Sequence, residues 1–241
     1  MSSILIGSDL RKSFGQKEVV RGITVRVRQG EIVGLLGPNG AGKTTTFYML
    51  VGVVKPSGGS VELDGQQITT WPLHERARLG LSYLPQESSV FKKLTVLQNL
   101  QIIFEYTDLS RSIQHKKAEA LMEELGISKL ADQKAMYLSG GERRRLEIAR
   151  ALIRNPKFML LDEPFAGIDP LAVDDIQVII TSLRERGIGV LISDHNVRET
   201  LKICTRASIV FEGKAIFEGS PEEIVADSSA RKVYLGEDFC L

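Results

Sequence analysis

The chain has 241 residues, 43% of them hydrophobic and 25% charged, with a formal net charge of +1. That suits one α/β domain with a smaller appended lobe, and the balanced charge with no basic stripe argues against direct binding of nucleic acid. No apolar run approaches the ~18–20 residues of a membrane-spanning helix, so any membrane role falls to a partner chain.

The N-terminal residues carry no signal-peptide pattern. Cys204 and Cys240 lack metal-ligand spacing and read as free thiols of a cytosolic protein.

Residues 4–28 predict antiparallel strands. Ile23, Val25 and Val27 alternate with Thr24, Arg26 and Arg28, and the segment 14–17 reads as a turn. Asp64-Gly65 marks a second hairpin, so a small β-lobe brackets the apolar strand 31–36. That strand runs into Gly37-Pro38-Asn39-Gly40-Ala41-Gly42-Lys43-Thr44, which fits the phosphate-binding P-loop pattern G-x-x-x-x-G-K-[ST]. A helix is expected from Thr44 onward, and its N-terminus adds positive partial charge. In such a loop the lysine reaches the β- and γ-phosphates and the Thr44 hydroxyl binds Mg²⁺.

From about Thr95 to Arg154 the pattern turns helical. Thr95 with Gln98 fits a capping box. Leu121, Met122 and Leu125 give an apolar face ended by Gly126, and a further helix is expected over Ser139–Arg154. The apolar run 158–161 then reads as a buried strand ending in Asp162-Glu163. An acidic strand end beside a P-loop is the Walker B arrangement, with Asp162 on Mg²⁺ and Glu163 as general base. Asp169 and Pro170 start the next helix. Ile176, Ile179, Ile180 and Leu183 form its core face. The segment 188–193 is the following strand, and a hairpin turns at Glu212-Gly213. Strands alternating with helices imply a mainly parallel sheet.

Leu138-Ser139-Gly140-Gly141-Glu142 discriminates among P-loop proteins. With it, the chain resembles the ATPase subunits of ABC transporters over essentially its whole length. The resemblance implies an α/β P-loop NTPase core of ABC ATPase type, with an antiparallel β-lobe and an inserted helical subdomain. The core would comprise 1–87 and 156–241, and the signature subdomain about 88–155. It implies a homodimer in which Ser139, Gly140, Gly141 and Glu142 cap the γ-phosphate of ATP held by the opposite subunit. It adds Thr45 to the ATP-binding residues, and assigns Gln86 to Mg²⁺ and the attacking water. It makes 166–169 the loop that crosses the dimer interface and His195 the γ-phosphate switch, with Phe14 stacking on adenine where the family prefers tyrosine. It places Phe91 and Lys92 beside the groove that receives a helix of an integral inner-membrane permease subunit.

Residues 45–49, 83–87, 141–145 and 234–239 make the chain most similar, within the family, to the ATPases of lipopolysaccharide export. Such a subunit would sit on the cytoplasmic face of the inner membrane, with the lipopolysaccharide cargo contacted by other subunits. Branched-chain amino-acid importer ATPases share its size and core motifs, and soluble ABC ATPases of DNA repair or translation remain a second class. Only residues 45–137 separate P-loop and signature, and there is one cassette, against the usual build of that class. The aromatic tail from Tyr234 is expected to dock on its own chain or on its copy in a second subunit. Its removal is expected to leave nucleotide binding intact.

Overall fold

Two sheets carry the chain in a computed structural model that describes residues 2–236 and residue 239. In the first sheet, β1 (Ile4–Phe14) pairs antiparallel with β2 (Lys17–Arg28) and with β4 (Gly58–Leu63). The short β5 (Gln66–Gln67) completes the order β2-β1-β4-β5. Ile23, Val25 and Val27 are buried while Arg26 and Arg28 are exposed, as their alternation requires.

The second sheet has the order β10-β9-β3-β8-β7-β6. β3 (Ile32–Leu36), β6 (Leu81–Leu84), β7 (Phe158–Asp162), β8 (Gly189–Asp194) and β9 (Arg206–Phe211) run parallel. β10 (Lys214–Gly219) returns antiparallel at the edge. Every residue of β3, β7 and β8 is buried, because both faces of a parallel sheet are covered. Met159, Leu161, Val190 and Ile192 point into a core shared with the helical segment. Phe158, Leu160 and Leu191 point into the core under the β-lobe.

Register places the chemistry. Leu36 pairs with Asp194, and Asp162 pairs with Ser193. The chain therefore leaves β3, β7 and β8 at one edge, where ligands bind in open α/β sheets.

α1 (Lys43–Val51) follows the P-loop, and α2 (Leu73–Arg78) precedes β6. Between β6 and β7 lie α3 (Val96–Phe104), α4 (Arg111–Glu124) and α5 (Gly140–Leu152). The Thr95–Gln98 capping box forms, and Leu121, Met122 and Leu125 are buried. α5 starts one residue later than expected, because Ser139 serves as its N-cap, and ends at Leu152 with Ile153 as its C-cap. α6 (Pro170–Glu185) is capped by Asp169, whose side chain accepts the Leu171 N–H at 2.9 Å. Ile176, Ile180 and Leu183 are buried on it, and Ile179 only half so.

α7 (Val197–Ile203), α8 (Pro221–Ala226) and α9 (Ser228–Ala230) lead to a π-helical turn at Arg231–Leu235. Tyr234, Leu235 and Phe239 pack on a core of Leu36, Val197, Leu201, Ala207, Ile209, Ile224 and Ala230. Of the two expected docks, these residues take their own chain. The remaining tail residues, Cys240 among them, lie outside the described residues. Among the described residues no helix is long and apolar enough to cross a membrane.

Candidate active site

The P-loop is held from behind by backbone. The Gly213 N–H donates to the Ala41 carbonyl at 3.0 Å, and the Arg21 N–H to the Gly213 carbonyl at 2.7 Å. Gly37 has φ +150°, and a Cβ there would lie 2.0 Å from the Val210 carbonyl oxygen; only glycine fits so close an approach. Asn39 and Gly40 are exposed, Pro38, Thr44 and Thr45 half-buried. Asn39, Gly40, Gly42, Lys43, Thr44 and Thr45 line a cavity of about 130 Å³ with Val19 and Glu163.

The Lys43 ammonium donates to the carbonyls of Gly37 at 2.7 Å and Pro38 at 3.0 Å. Burial lowers its pKa, and the carboxylates of Glu163, Asp162 and Asp194 oppose that shift. The cation is thus held by two loop carbonyls, with three carboxylates nearby.

Asp162 is buried at the end of β7. It accepts hydrogen bonds from the Ser193 hydroxyl and, at 3.4 Å, from the Tyr83 hydroxyl, and lies within reach of the Thr44 hydroxyl. Burial raises its pKa, with those hydrogen bonds opposing. One carboxylate and one hydroxyl are hard oxygen donors suited to Mg²⁺, which takes few protein ligands beside substrate phosphates. Among the described residues no cluster of three or more acidic, histidine or cysteine side chains could hold a metal alone.

Glu163 follows with φ +46°, a strained conformation for a non-glycine residue. Its carboxylate accepts from Gln86 Nε2 at 2.8 Å and sits 3.3 Å from His195 Nδ1. Gln86 and His195 are exposed, and the Glu163 side chain is only 13% exposed. The three expected groups therefore meet at one carboxylate.

Asp194 carries no weight in the sequence reading. It is fully buried, accepts the backbone N–H groups of Phe165 at 3.2 Å and Asn196 at 2.8 Å, and lies 3.5 Å from His195 Nδ1. Burial raises its pKa against those bonds. It fixes the loop after Glu163 and the loop bearing His195 to one another. An acidic residue ending a second buried strand was its only signal.

The signature lies elsewhere. Ser139 and Glu142 form a reciprocal capping box at the start of α5, with N–H···O distances of 3.3 and 2.8 Å. A Cβ on Gly140 would lie 2.5 Å from the Gly167 carbonyl oxygen, and one on Gly141 3.0 Å from Ala172 Cβ. The signature thus packs on its own chain's 166–169 loop, while Ser139 faces solvent. No signature residue lines the cavity at the P-loop.

Phe14 is 52% exposed at the tip of the β1–β2 hairpin, with Lys12 Nζ 5.1 Å from its ring. It pairs with Lys17, two residues before the cavity-lining Val19. Phe91 and Lys92 are exposed beside α5, and Arg150 covers the Phe91 ring at 5.2 Å.

The ABC transporter family matches residues 20–166, the span from β2 through the loop after Glu163. The chain belongs to the ABC transporter family. It is 55% identical over 240 residues to the lipopolysaccharide export system ATP-binding protein LptB of Haemophilus influenzae, covering 99% of this chain and 100% of that relative. The protein of the same name from Escherichia coli is 54% identical over 238 residues, covering 98% and 99%. Among solved structures, an ATP-binding cassette of an ABC transporter in its ADP conformation superposes with a TM-score of 0.88 at 30% identity. That match covers 98% of this chain and 100% of that one. The ABC ATPase architecture expected from the motifs is therefore the one observed.

Proposed function

We propose that this ABC ATPase hydrolyses ATP to drive lipopolysaccharide export, as a homodimer on the cytoplasmic face of the inner membrane, bound to integral permease subunits. The single observation that carries the hydrolytic reading is Glu163, a shielded carboxylate held by Gln86 and facing His195. The cargo reading rests on the two full-length relatives named for lipopolysaccharide export. It is favoured over a branched-chain amino-acid importer or a soluble ABC ATPase.

ATP would lie with its phosphates against the P-loop amides and the N-terminus of α1. Lys43 exchanges the Gly37 and Pro38 carbonyls for the β- and γ-phosphates. Thr44 and Asp162, with Gln86, would hold Mg²⁺, which supplies charge neutralisation on the phosphate oxygens. Glu163 takes the proton of the attacking water as that water approaches the γ-phosphorus. His195 donates to the γ-phosphate and orients it against Glu163.

The separation of signature and P-loop supports the dimer. Ser139, which opens α5, faces solvent and lies outside the lining of this chain's own cavity, which supports its meeting a γ-phosphate held by another subunit. Driving the dimer from 1:99 to 99:1 closed takes about 5.5 kcal/mol of differential binding. Several charge-assisted bonds across the interface supply energy of that order.

The test is Glu163→Gln, which keeps the Gln86 contact but cannot accept a proton. Hydrolysis should fall by roughly 10²–10⁴ while ATP still binds, and a dimer should accumulate on size-exclusion chromatography with ATP. Near-normal turnover would remove Glu163 from the mechanism. The cargo is tested separately, by ATP-dependent release of lipopolysaccharide from vesicles holding the permease complex.

A further inference from the structure

The far end of α1 from the P-loop holds a buried cation. Arg76, on α2, is 1% exposed. Its guanidinium donates to the carbonyls of Met49 at 2.8 Å and Leu50 at 2.6 Å, both in the last turn of α1. It also donates to the carbonyls of Trp71 at 2.9 Å and Thr69 at 3.0 Å. A Cβ on Gly52, the C-cap of α1, would lie 2.7 Å from Arg76 Nε, so that glycine makes room for the side chain. All four partners are neutral, and among the described residues no carboxylate pairs with the guanidinium. Burial pulls its pKa down to about 10, which leaves it charged at neutral pH.

Burying a charge without a counter-ion is costly. Capping α1 does not by itself require one. The Tyr48 carbonyl accepts the N–H groups of Gly52, Val53 and Val54, the ordinary way in which a turn ends a helix. The charge gains a use from where α1 begins, at Lys43 and Thr44 beside the P-loop cavity. α1 has nine residues, a length of only about 13–14 Å. Such a helix carries about half a positive charge at its N-terminus and about half a negative charge at its C-terminus. Over so short a length the negative end cancels part of the attraction that the N-terminus offers an anion. A full positive charge seated on the negative end reverses its sign, and acts on the N-terminus through protein instead of water.

We propose that Arg76 is a remote electrostatic contributor to phosphate binding: its buried charge overrides the negative end of α1 and adds positive potential at Lys43 and Thr44. The proposal rests on the reading of this site as an ATP site. It adds a residue that touches neither the loop nor the cavity, and that acts by charge and not by contact.

The test uses the full-length chain and two variants. Arg76→Gln removes the charge and keeps an amide donor, whereas Arg76→Lys keeps the charge and loses the forked geometry. The Kd for MgADP and for MgATP is measured by equilibrium titration, well below the Tm of each variant. At a separation of about 15 Å and an effective dielectric constant of about 20, the charge gives about three- to sixfold in affinity per unit of net ligand charge. Arg76→Gln should therefore weaken MgADP, with one net negative charge, by about three- to sixfold, and MgATP, with two, by about ten- to thirtyfold. Arg76→Lys should bind both within about twofold of wild type, although its Tm falls with that of Arg76→Gln because carbonyls lose donors in each. A purely structural arginine would make the lysine variant lose as much affinity as the glutamine variant. That result overturns the proposal, as does wild-type MgATP affinity in Arg76→Gln, and in both cases the ATPase reading stands. If Arg76→Gln does not fold, a folded Arg76→Lys that has lost MgATP affinity still overturns it. Failure of the wild-type chain to bind either nucleotide overturns both readings.

Discussion

The Arg144 guanidinium, on the signature helix, donates to the Glu163 carbonyl at 3.2 Å. The same guanidinium pairs with Glu147 at 2.9 Å and reaches the Pro85 carbonyl at 3.3 Å. Glu147 in turn accepts the Ser88 hydroxyl at 2.8 Å and the Ser89 N–H at 3.0 Å. One buried ion pair thus joins three parts: the signature helix, the segment around Gln86, and the backbone of Glu163, the proposed general base.

That network predicts a separation of stability from catalysis. Arg144→Ala leaves Glu147 buried without its counter-charge and should cost about 3–5 kcal/mol. Replacing both, as Arg144→Met with Glu147→Leu, should recover most of the Tm, since well-packed apolar groups often match a buried pair. Hydrolysis should not recover, because the tie to Glu163 is gone. Thermal unfolding and ATPase assays on the three proteins decide it, and wild-type turnover in the double variant would reduce the pair to packing.

A second prediction concerns what the site costs the fold. Burial raises the pKa of both Asp162 and Asp194 above the ordinary 3.8. The folded state therefore binds their protons more tightly than the unfolded chain does. Their contribution is fully present below that ordinary value and is lost as pH rises through the raised values. At neutral pH the nucleotide-free protein carries two disfavoured carboxylates. Asp162→Asn should raise its Tm at pH 7 by about 2–4 °C, the shift that ~1 kcal/mol gives in a domain of this size. The gain should vanish under acid conditions, where the wild-type carboxylate is protonated. The stabilisation that Mg²⁺ adds to ATP-bound protein should be lost. A lower Tm for Asp162→Asn at pH 7 would show that its hydrogen bonds outweigh its burial.

Much of this site is legible in the residues because its chemistry is packed into contiguous motifs. The P-loop, Asp162-Glu163 and the segment 138–142 each state residue type, spacing and flanking elements together. The parallel sheet follows from the apolar runs that make up most of β3, β7 and β8. What escapes are groups whose meaning arises from register and burial. Ser193 matters because it pairs across the sheet with Asp162. Asp194 matters because its two carboxylate oxygens hold loops from different strands. Glu147 reads as one more charge on an Arg-rich helix until burial forces it onto Arg144. Tyr234 is distant in sequence from Leu36, and only the fold brings it against the apolar cluster to which Leu36 belongs.

Lys43 and His195 separate binding from chemistry. Lys43 is nearly buried and aimed at the loop's own carbonyls, the place where phosphate charge would sit. Lys43→Ala should weaken ATP binding itself by at least tenfold, the loss of about 1.5–3 kcal/mol for a charged hydrogen bond. The His195 side chain is 58% exposed and approaches the cavity lining at Glu163. His195→Ala should bind ATP within about threefold of wild type yet hydrolyse it at least 10²-fold more slowly. Equilibrium titration with ATP and single-turnover hydrolysis make the distinction. Wild-type turnover in His195→Ala would leave that histidine a surface residue.

The last prediction concerns coupling to the permease. Phe91 is 45% exposed, yet its backbone is fixed on both sides. Its N–H donates to Asn99 Oδ1 at 2.9 Å, and Asn99 Nδ2 donates to its carbonyl at 3.1 Å. Asn99 is itself fully buried. Arg150 lies over the ring and donates to the Ser89 carbonyl at 2.6 Å. Beside it, Leu73, Tyr83, Ser89, Ile103 and Arg150 line an open groove of about 280 Å³ between the α/β core and α5. A rigidly held, half-exposed aromatic at the rim of an apolar groove is what an amphipathic helix needs as an anchor. Truncation should cost the isolated subunit little, because the ring contributes less than a core residue: a Tm drop of no more than about 4 °C, or roughly 1 kcal/mol. Binding to the permease subunits should weaken at least tenfold, the effect of a hot-spot loss near ~2 kcal/mol. Basal ATPase of Phe91→Ala alone, and its co-purification with permease subunits in mild detergent, are the paired measurements. Full retention of the permease by Phe91→Ala would place the anchor elsewhere, and a collapsed Tm would show that the ring serves the fold instead.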